Sequence, residues 1–254
     1  MNRLFSYPLI VICGHYGSGK TNLALNLACY LSDGGARPSL IDLDIVNPYF
    51  RSSDSRLQLD SWGVKFLGPI FGASNLDAPA LMPGIEARIA AASLDSPVII
   101  DVGGDPEGAR ALARFAPSLA AFVPDGQMWG AEPGNATGLE GAAGLILAVV
   151  NLRRPQTADP RQNLDMLLAI SRAAGLRLNA LVGNTHLQQH TNSQTILDSV
   201  DDLLAISSAS NLPIYCLAVP PALLALVGRA LSARGLSQQL PLFAVQRFVR
   251  TPWQ

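Results

Sequence analysis

A glycine-rich segment near the N-terminus constrains the fold of this chain more than any other feature. The apolar stretch Leu9–Cys13 runs directly into Gly-His-Tyr-Gly-Ser-Gly-Lys-Thr at Gly14–Thr21, and a helical pattern follows. A strand, a GxxxxGKT loop and a helix, in that order, form a phosphate-binding loop. Glycine adopts backbone angles that let successive amides point inward at phosphate oxygens, and the helix start adds partial positive charge. The segment therefore predicts a nucleoside triphosphate site.

The residues of this loop have separate expected roles. Lys20 is expected to reach the β- and γ-phosphates, and the Thr21 hydroxyl is expected to ligate magnesium. The chain contains only two lysines, Lys20 and Lys65, so a chance match to the pattern is rare. The predicted nucleotide-binding set in this region is Gly14, Gly17, Ser18, Gly19, Lys20, Thr21 and Asn22.

Short apolar runs alternate with helical patterns along the whole chain. Most of these runs lack strict alternation of polar and apolar residues, which is typical of strands buried on both faces of a parallel sheet. The predicted strands are Pro8–Cys13, Pro38–Leu43, Val64–Leu67, Pro97–Val102, Leu145–Asn151, Leu178–Gly183 and Pro213–Val219. The predicted helices are Thr21–Ser32, Pro83–Ala92, Pro106–Phe115, Arg161–Ala174, Thr195–Ala209 and Leu223–Ala233. We expect a single α/β domain over residues 1–254, with about seven mainly parallel strands and helices on both faces.

Two segments appear irregular in sequence. Ser52–Ser61 is polar and follows the second strand, and Pro124–Gly141 is rich in glycine. The length of Pro124–Gly141 favours a lid, a partner-binding loop or a mobile insertion.

Composition limits the classes of partner. With 49% hydrophobic residues, 15% charged residues and a net charge of −1, the chain can bury a large core and shows no basic block typical of a nucleic-acid surface. Cys13, Cys29 and Cys216 lie far apart, which favours reduced thiols in a cytoplasmic protein. Prolines break the apolar stretch Leu212–Gly228, so no membrane span is expected. The tail Leu242–Trp253 mixes aromatic residues with arginines, and we expect it to pack on the body and not on a membrane.

Acidic residues follow two of the predicted strands. Asp42 and Asp44 lie two apart, on one face of an extended segment, where a carboxylate can hold a magnesium-bound water or orient an attacking water. Asp101 ends a run of four apolar residues, which is the Walker B pattern, and is expected to contact the magnesium shell. Gly103 and Gly104 allow a backbone amide to approach the γ-phosphate, so their loop is expected to sense hydrolysis.

Together these motifs resemble the MinD/ParA/CobQ-type nucleotide-binding proteins, which belong to the P-loop NTPases. The similarity is carried by GHYGSGKT at Gly14–Thr21, DLDIVNPYFR at Asp42–Arg51, DVGGD at Asp101–Asp105 and NxRRP at Asn151–Pro155. These motifs match a branch of the family without a settled physiological role, and the resemblance covers nearly the whole chain. It implies a three-layer P-loop domain and suggests a homodimer.

The resemblance also implies roles for individual residues. Asp44 matches the acidic residue that positions the attacking water, and Asp42 is placed near magnesium. Asn184 matches the asparagine that hydrogen-bonds adenine, and Pro220 matches the segment beside the base. An asparagine amide both donates and accepts, as adenine's edge requires. The NKxD signature of GTP-binding proteins is absent after the Leu178–Gly183 strand, which favours ATP.

One position departs from the family pattern. Many members carry a second lysine after the first loop glycine, which reaches the partner's phosphates across a dimer, and His15 stands there in this chain. Two alternatives for stabilising the developing charge are His15, if protonated, and Arg51. The sequence leaves open whether Arg153 and Arg154 bind a phosphate or an acidic partner, or are simply solvated.

Three functions are compatible with these motifs. The leading hypothesis is a magnesium-dependent ATP-binding protein, a slow ATPase that acts as a switch for an unknown partner protein. The alternative is an ATP-dependent ligase or kinase acting on a small molecule, as in cobalamin or biotin synthesis. A third is a module that binds nucleotide without turning it over.

Overall fold

The computed structural model describes residues 4–44, 53–68, 84–123, 143–154 and 159–249. The strands are β1 (Leu9–Cys13), β2 (Ser39–Asp42), β3 (Lys65–Leu67), β4 (Val98–Asp101), β5 (Gly144–Val150), β6 (Ala180–Gly183), β7 (Ile214–Val219) and β8 (Leu242–Ala244). The α-helices are α1 (Lys20–Asp33), α2 (Ser53–Ser61), α3 (Ile85–Ala90), α4 (Pro106–Ala113), α5 (Ala116–Leu119), α6 (Pro160–Ala174), α7 (Ser193–Leu197), α8 (Val200–Ser210) and α9 (Leu224–Ala233).

The strands form one sheet in the order β3-β2-β4-β1-β5-β6-β7-β8, and every pairing is parallel. Both faces are covered, because successive residues of a strand point to opposite sides. In β1, Ile10 and Ile12 belong to the core beneath α1, whereas Leu9 and Val11 belong to the opposite core beneath α4. A further core lies around β6 and β7. The predicted single α/β domain with a parallel sheet is confirmed.

The predicted strand count was one short. All seven predicted strands are present, and the eighth, β8, pairs in parallel with β7. In the sequence, β8 lies within the segment that we assigned to the tail. The following residues pack on α1, where the Asn22 side chain accepts the N–H of Phe248 at 2.8 Å. Up to Val249 the tail therefore packs on the body, as predicted; Trp253 lies outside the described residues.

Two predictions of secondary structure were wrong. Ser52–Ser61 was expected to be irregular, yet Ser53–Ser61 is helical. Leu59 is completely buried there while Leu57 is 65% exposed, so the segment carries too little apolar periodicity to reveal a helix. Thr195–Ala209 was expected to be one helix, but it divides between α7 and α8. The Ser199 hydroxyl donates to the Ile196 carbonyl at 2.7 Å, which competes with the helical pattern.

The irregular insertion near 124–141 lies outside the described residues. Within the described part of the chain, no helix has the length and apolar character needed to cross a bilayer.

Candidate functional site

The predicted site residues meet at the carboxyl edge of the sheet. β1 lies between β4 and β5, and in a parallel sheet the loops after the strands all gather at one edge. β2 ends at Asp42 and β4 ends at Asp101, beside the loop that joins β1 to α1. This crevice is where ligands bind in open α/β sheets.

The loop depends on glycine at three positions. Gly14, Gly17 and Gly19 have φ of 144°, 73° and 91°, a region that residues with a side chain rarely adopt. Space is restricted as well, since a Cβ at Gly14 would lie 2.5 Å from the Val149 carbonyl oxygen. A Cβ at Gly19 would collide with the side-chain amide of Asn184. The loop backbone is thus fixed at close range by β5 and by the segment after β6.

The N-terminus of α1 opens at the end of this loop. The N–H of Leu23 makes the first intrahelical bond, to the Gly19 carbonyl at 2.9 Å, so the helix provides no carbonyl for the N–H groups of Lys20, Thr21 and Asn22. These amides are suited to an anion. The Asn22 side chain is committed elsewhere, donating to the Gln246 carbonyl at 2.9 Å, so only its main chain is available to a ligand.

Lys20 is a buried cation inside the loop. Its side chain is 6% exposed, and its Nζ donates to the His15 carbonyl at 3.3 Å. Burial lowers its pKa, while the carboxylates of Asp101 and Asp44 act in the opposite direction. A buried ammonium held by a carbonyl is well suited to donate hydrogen bonds to a phosphate oxygen.

Thr21, Asp101 and Asp42 form a compact oxygen cluster. The Thr21 hydroxyl donates to Asp101 Oδ2 at 2.7 Å, and Asp101 Oδ1 is buried without a hydrogen-bond partner among the described residues. Burial raises the pKa of Asp101 to about 6. Burial and the neighbouring Asp101 raise the pKa of Asp42 to about 8. Two buried carboxyls that oppose each other's ionisation are stabilised by a divalent cation.

These residues fit magnesium. Within the described residues no group of three or more His, Cys, Asp or Glu side chains is arranged to hold a metal. Magnesium needs no such cage, because it is bound through one or two carboxylates together with water and substrate phosphates. The unpaired Asp101 Oδ1 and the adjacent Thr21 hydroxyl are the donors that such a complex requires.

Asp44 lies at the mouth of the site. Its N–H donates to Asp42 Oδ1 at 2.9 Å, and its side chain is half-buried where the described segment ends. The Asp44 carboxylate acts to raise the pKa of Lys20 against the effect of burial. Positioning of an attacking water by Asp44 stays a prediction.

The loop after β4 touches the phosphate loop. A Cβ at Gly104 would lie 2.7 Å from both N and Cα of Tyr16 and 2.9 Å from Lys20 Nζ. The Asp105 side chain then accepts the N–H of Gly108 at 2.7 Å and caps α4. A ligand contact at Gly104 is therefore connected to α4 through one residue.

The residues expected at the base occupy the neighbouring strand ends. Asn184 follows β6 and is 7% exposed, and its Nδ2 donates to the Ser18 carbonyl at 2.7 Å. Pro220 follows β7 at the same edge. Base recognition by this pair stays a prediction, whereas the bracing of the loop by Asn184 was not foreseen, because the two residues are 166 positions apart.

Two further loop contacts were missed. The buried Asn151 donates to the Gly17 carbonyl at 3.5 Å, and Arg154 Nε donates to the same oxygen at 2.9 Å. The sequence signals were their place at and just after the end of a predicted strand and the NxRRP motif at Asn151–Pro155, neither of which indicates a contact with Gly17. His15 is half-buried, with Nδ1 2.9 Å from the Tyr16 carbonyl, and Arg51 lies outside the described residues.

Comparisons with known proteins establish the fold and leave the family open. No protein-family model matches the chain, and no curated protein matches it. Among solved structures, the signal recognition particle 54 kDa protein from Aeropyrum pernix K1 in complex with GDP is similar with 15% identity and a TM-score of 0.52, over 94% of this chain and 49% of that one. The cell division protein FtsY from Thermotoga maritima is similar with 17% identity and a TM-score of 0.52, over 86% of this chain and 65% of that one.

This chain thus spans about half to two thirds of the length of these neighbours. At such identities the likeness shows the fold alone. The more specific resemblance to MinD/ParA/CobQ-type proteins is not confirmed by it. This chain has the P-loop NTPase fold.

Proposed function

We propose that this chain binds magnesium and ATP at the Gly14–Thr21 loop and hydrolyses ATP slowly, as a switch for a partner protein. The observation that carries the proposal is the Thr21–Asp101 hydrogen bond of 2.7 Å beside the orphaned Asp101 Oδ1 and the buried Lys20. The fold brings the Thr21–Asp101 pair, an ammonium group and the first amides of α1 to one crevice. A magnesium-bound triphosphate satisfies all three together.

The choice of ATP rests on the residues after β6. Asn184 is followed by Thr185, His186 and Leu187, where GTP-type proteins carry the rest of NKxD. The structural neighbour that holds GDP is a different protein at 15% identity. Competition tests this choice: unlabelled ATP or GTP displaces a labelled nucleotide from the protein. We expect ATP to bind more tightly than GTP.

The proposed role as a switch rests on the loops that follow β2 and β4, at the same sheet edge as the phosphate loop. The N–H of Leu43 donates to the Asp101 carbonyl at 2.9 Å, so the segment after β2 begins hydrogen-bonded to the end of β4. Gly104 touches the phosphate loop and leads directly into α4. A γ-phosphate drawing in the Gly104 amide would displace α4, and hydrolysis would release it. A partner protein or the second subunit of a homodimer would read this motion.

The test compares steady-state ATP turnover by the wild type with Lys20→Ala and Lys65→Ala. Lys65 is the matched control, because it is the only other lysine and lies exposed on β3. We expect Lys20→Ala to lower the rate by at least about 100-fold and Lys65→Ala to leave it unchanged. Turnover that survives Lys20→Ala would refute the proposal. Turnover that requires an added small-molecule acceptor would favour the ligase or kinase alternative.

A further inference from the structure

Two adjacent arginines follow β5 at the edge of the crevice, and the proposed function uses neither. Their turn is fixed by Asn151, which is fully buried at the end of the strand. Asn151 Oδ1 accepts the N–H of Arg153 at 3.0 Å, and its carbonyl accepts the N–H of Arg154 at 3.4 Å. The two side chains therefore leave a rigid turn in fixed directions.

Arg153 turns toward the surface. Its Nη2 lies 3.3 Å from Asp198 Oδ2, and the two side chains are 39% and 46% exposed. Ion pairs of this kind contribute little, because water and salt screen them. Arg153 therefore behaves as an ordinary surface arginine.

Arg154 turns toward the phosphate loop. Its Nε donates to the Gly17 carbonyl at 2.9 Å. A Cβ at Gly17 would lie 2.9 Å from Nε, 3.0 Å from Cζ and 3.2 Å from Nη2 of Arg154. Three atoms of the guanidinium at nearly equal distance mean that the group lies flat against the loop.

The orientation of the Gly17–Ser18 peptide determines how the Arg154 contact acts on the phosphate loop. The Gly17 carbonyl and the Ser18 N–H belong to one planar peptide and point in opposite directions. The Ser18 N–H reaches the His15 carbonyl at 3.1 Å, the same oxygen that Lys20 Nζ reaches at 3.3 Å. Arg154 thus holds this peptide by its carbonyl from outside the loop, while the His15 carbonyl holds the same peptide by its N–H from within.

The charge of Arg154 acts in the same place. Among the described residues no carboxylate forms a salt bridge with it. Burial and then the charge of Arg154 lower the pKa of the nearby His186 to about 4. The imidazole is therefore neutral near pH 7, and Arg154 brings a positive charge to the outer side of the loop.

We propose that Arg154 is a positioning residue of the phosphate loop, which holds the Gly17–Ser18 peptide in place and adds positive charge beside a bound phosphate. This inference rests on the proposed function. A group that fixes the loop contributes to any ligand carrying a β-phosphate, so Arg154 strengthens binding of nucleoside diphosphates and triphosphates alike. Uniform binding of this kind alters KM and leaves kcat unchanged.

The test measures Kd for magnesium-ATP and magnesium-ADP by calorimetry at low and high ionic strength. The variants are Arg154→Ala, Arg154→Lys and the neighbouring control Arg153→Ala. We expect Arg154→Ala to weaken both nucleotides by about tenfold and to lessen the dependence of Kd on salt. Arg153→Ala should stay within about twofold of the wild type. Arg154→Lys keeps the charge but lacks the planar group, so it should restore the salt dependence and only part of the affinity.

Each outcome either supports or overturns the positioning role of Arg154. Wild-type affinity in Arg154→Ala, or full rescue by lysine, would overturn the positioning role while the wild type and Lys20→Ala still test the proposed function. A lowered melting temperature with unchanged Kd would show a merely structural arginine and would also overturn it. A wild type that binds neither nucleotide would remove the proposed function and this inference with it.

Discussion

Gly104→Ala tests whether the loop after β4 and the phosphate loop form one working unit. The new methyl carbon would lie 2.7 Å from two backbone atoms of Tyr16 and 2.9 Å from Lys20 Nζ, whereas ordinary contact begins at 3.4 Å. To restore ordinary contact, the backbone of one loop must retreat by about 0.7 Å. The obstacle is main chain, so no side-chain rotation can relieve it.

The expected magnitude follows from this displacement. Overpacking of this kind costs about 1–3 kcal/mol in the free energy of unfolding. A shift of about 1 Å in groups that position a ligand can cost about 100-fold in function. We therefore expect Gly104→Ala to weaken magnesium-ATP binding by about 10- to 100-fold, beyond what its stability loss explains.

Calorimetry gives the Kd and urea unfolding gives the stability. The matched control is Gly235→Ala, because Gly235 has a φ of 70° and nothing within 4 Å of the added carbon. That substitution costs about 1 kcal/mol through backbone strain and should leave the Kd unchanged. Wild-type affinity in Gly104→Ala, or an equal loss of affinity in both variants, would refute the reasoning.

Two further predictions concern stability. The pKa of His186 is lowered from 6.5 to about 4 by burial and by Arg154, so the unfolded chain binds a proton between these values and the folded chain does not. Acidification from pH 6.5 to 4 should therefore lower the free energy of unfolding of the wild type by about 1–3 kcal/mol more than that of His186→Gln. Urea unfolding at several pH values measures this difference, and identical pH profiles for the two proteins would contradict it. Asn26→Ala should cost about 1–3 kcal/mol, because buried Asn26 bonds both N–H and C=O of Gln246 at 2.8 Å. Limited proteolysis should then cut the tail faster, and unchanged stability and cleavage would show that this contact is not needed.

Much of the fold could be predicted because a parallel sheet leaves a clear signal. Strands such as β1 and β5 are apolar without interruption, since helices cover both of their faces. β8 was missed because it is three residues long with only Phe243 buried. α2 was missed because, among its side chains that the structure describes, Leu59 alone is buried, which shows no helical period.

The candidate site was also predictable only in part. The phosphate loop is contiguous, so its spacing alone predicted the left-handed glycines and the position of Lys20. The approach of Asp101 to Thr21 followed from two strand ends at one sheet edge. The contacts of Asn184 and Arg154 with the loop depend on side-chain reach across 166 and 137 positions, which no local pattern encodes.

The most direct measurement of the central claim is calorimetric titration of the purified protein with ATP, with and without magnesium. We expect saturable binding that magnesium strengthens, a loss of at least about tenfold in affinity in Lys20→Ala, and wild-type affinity in Lys65→Ala. Absence of heat with ATP and with GTP in the presence of magnesium, from protein shown to be folded, would contradict the account.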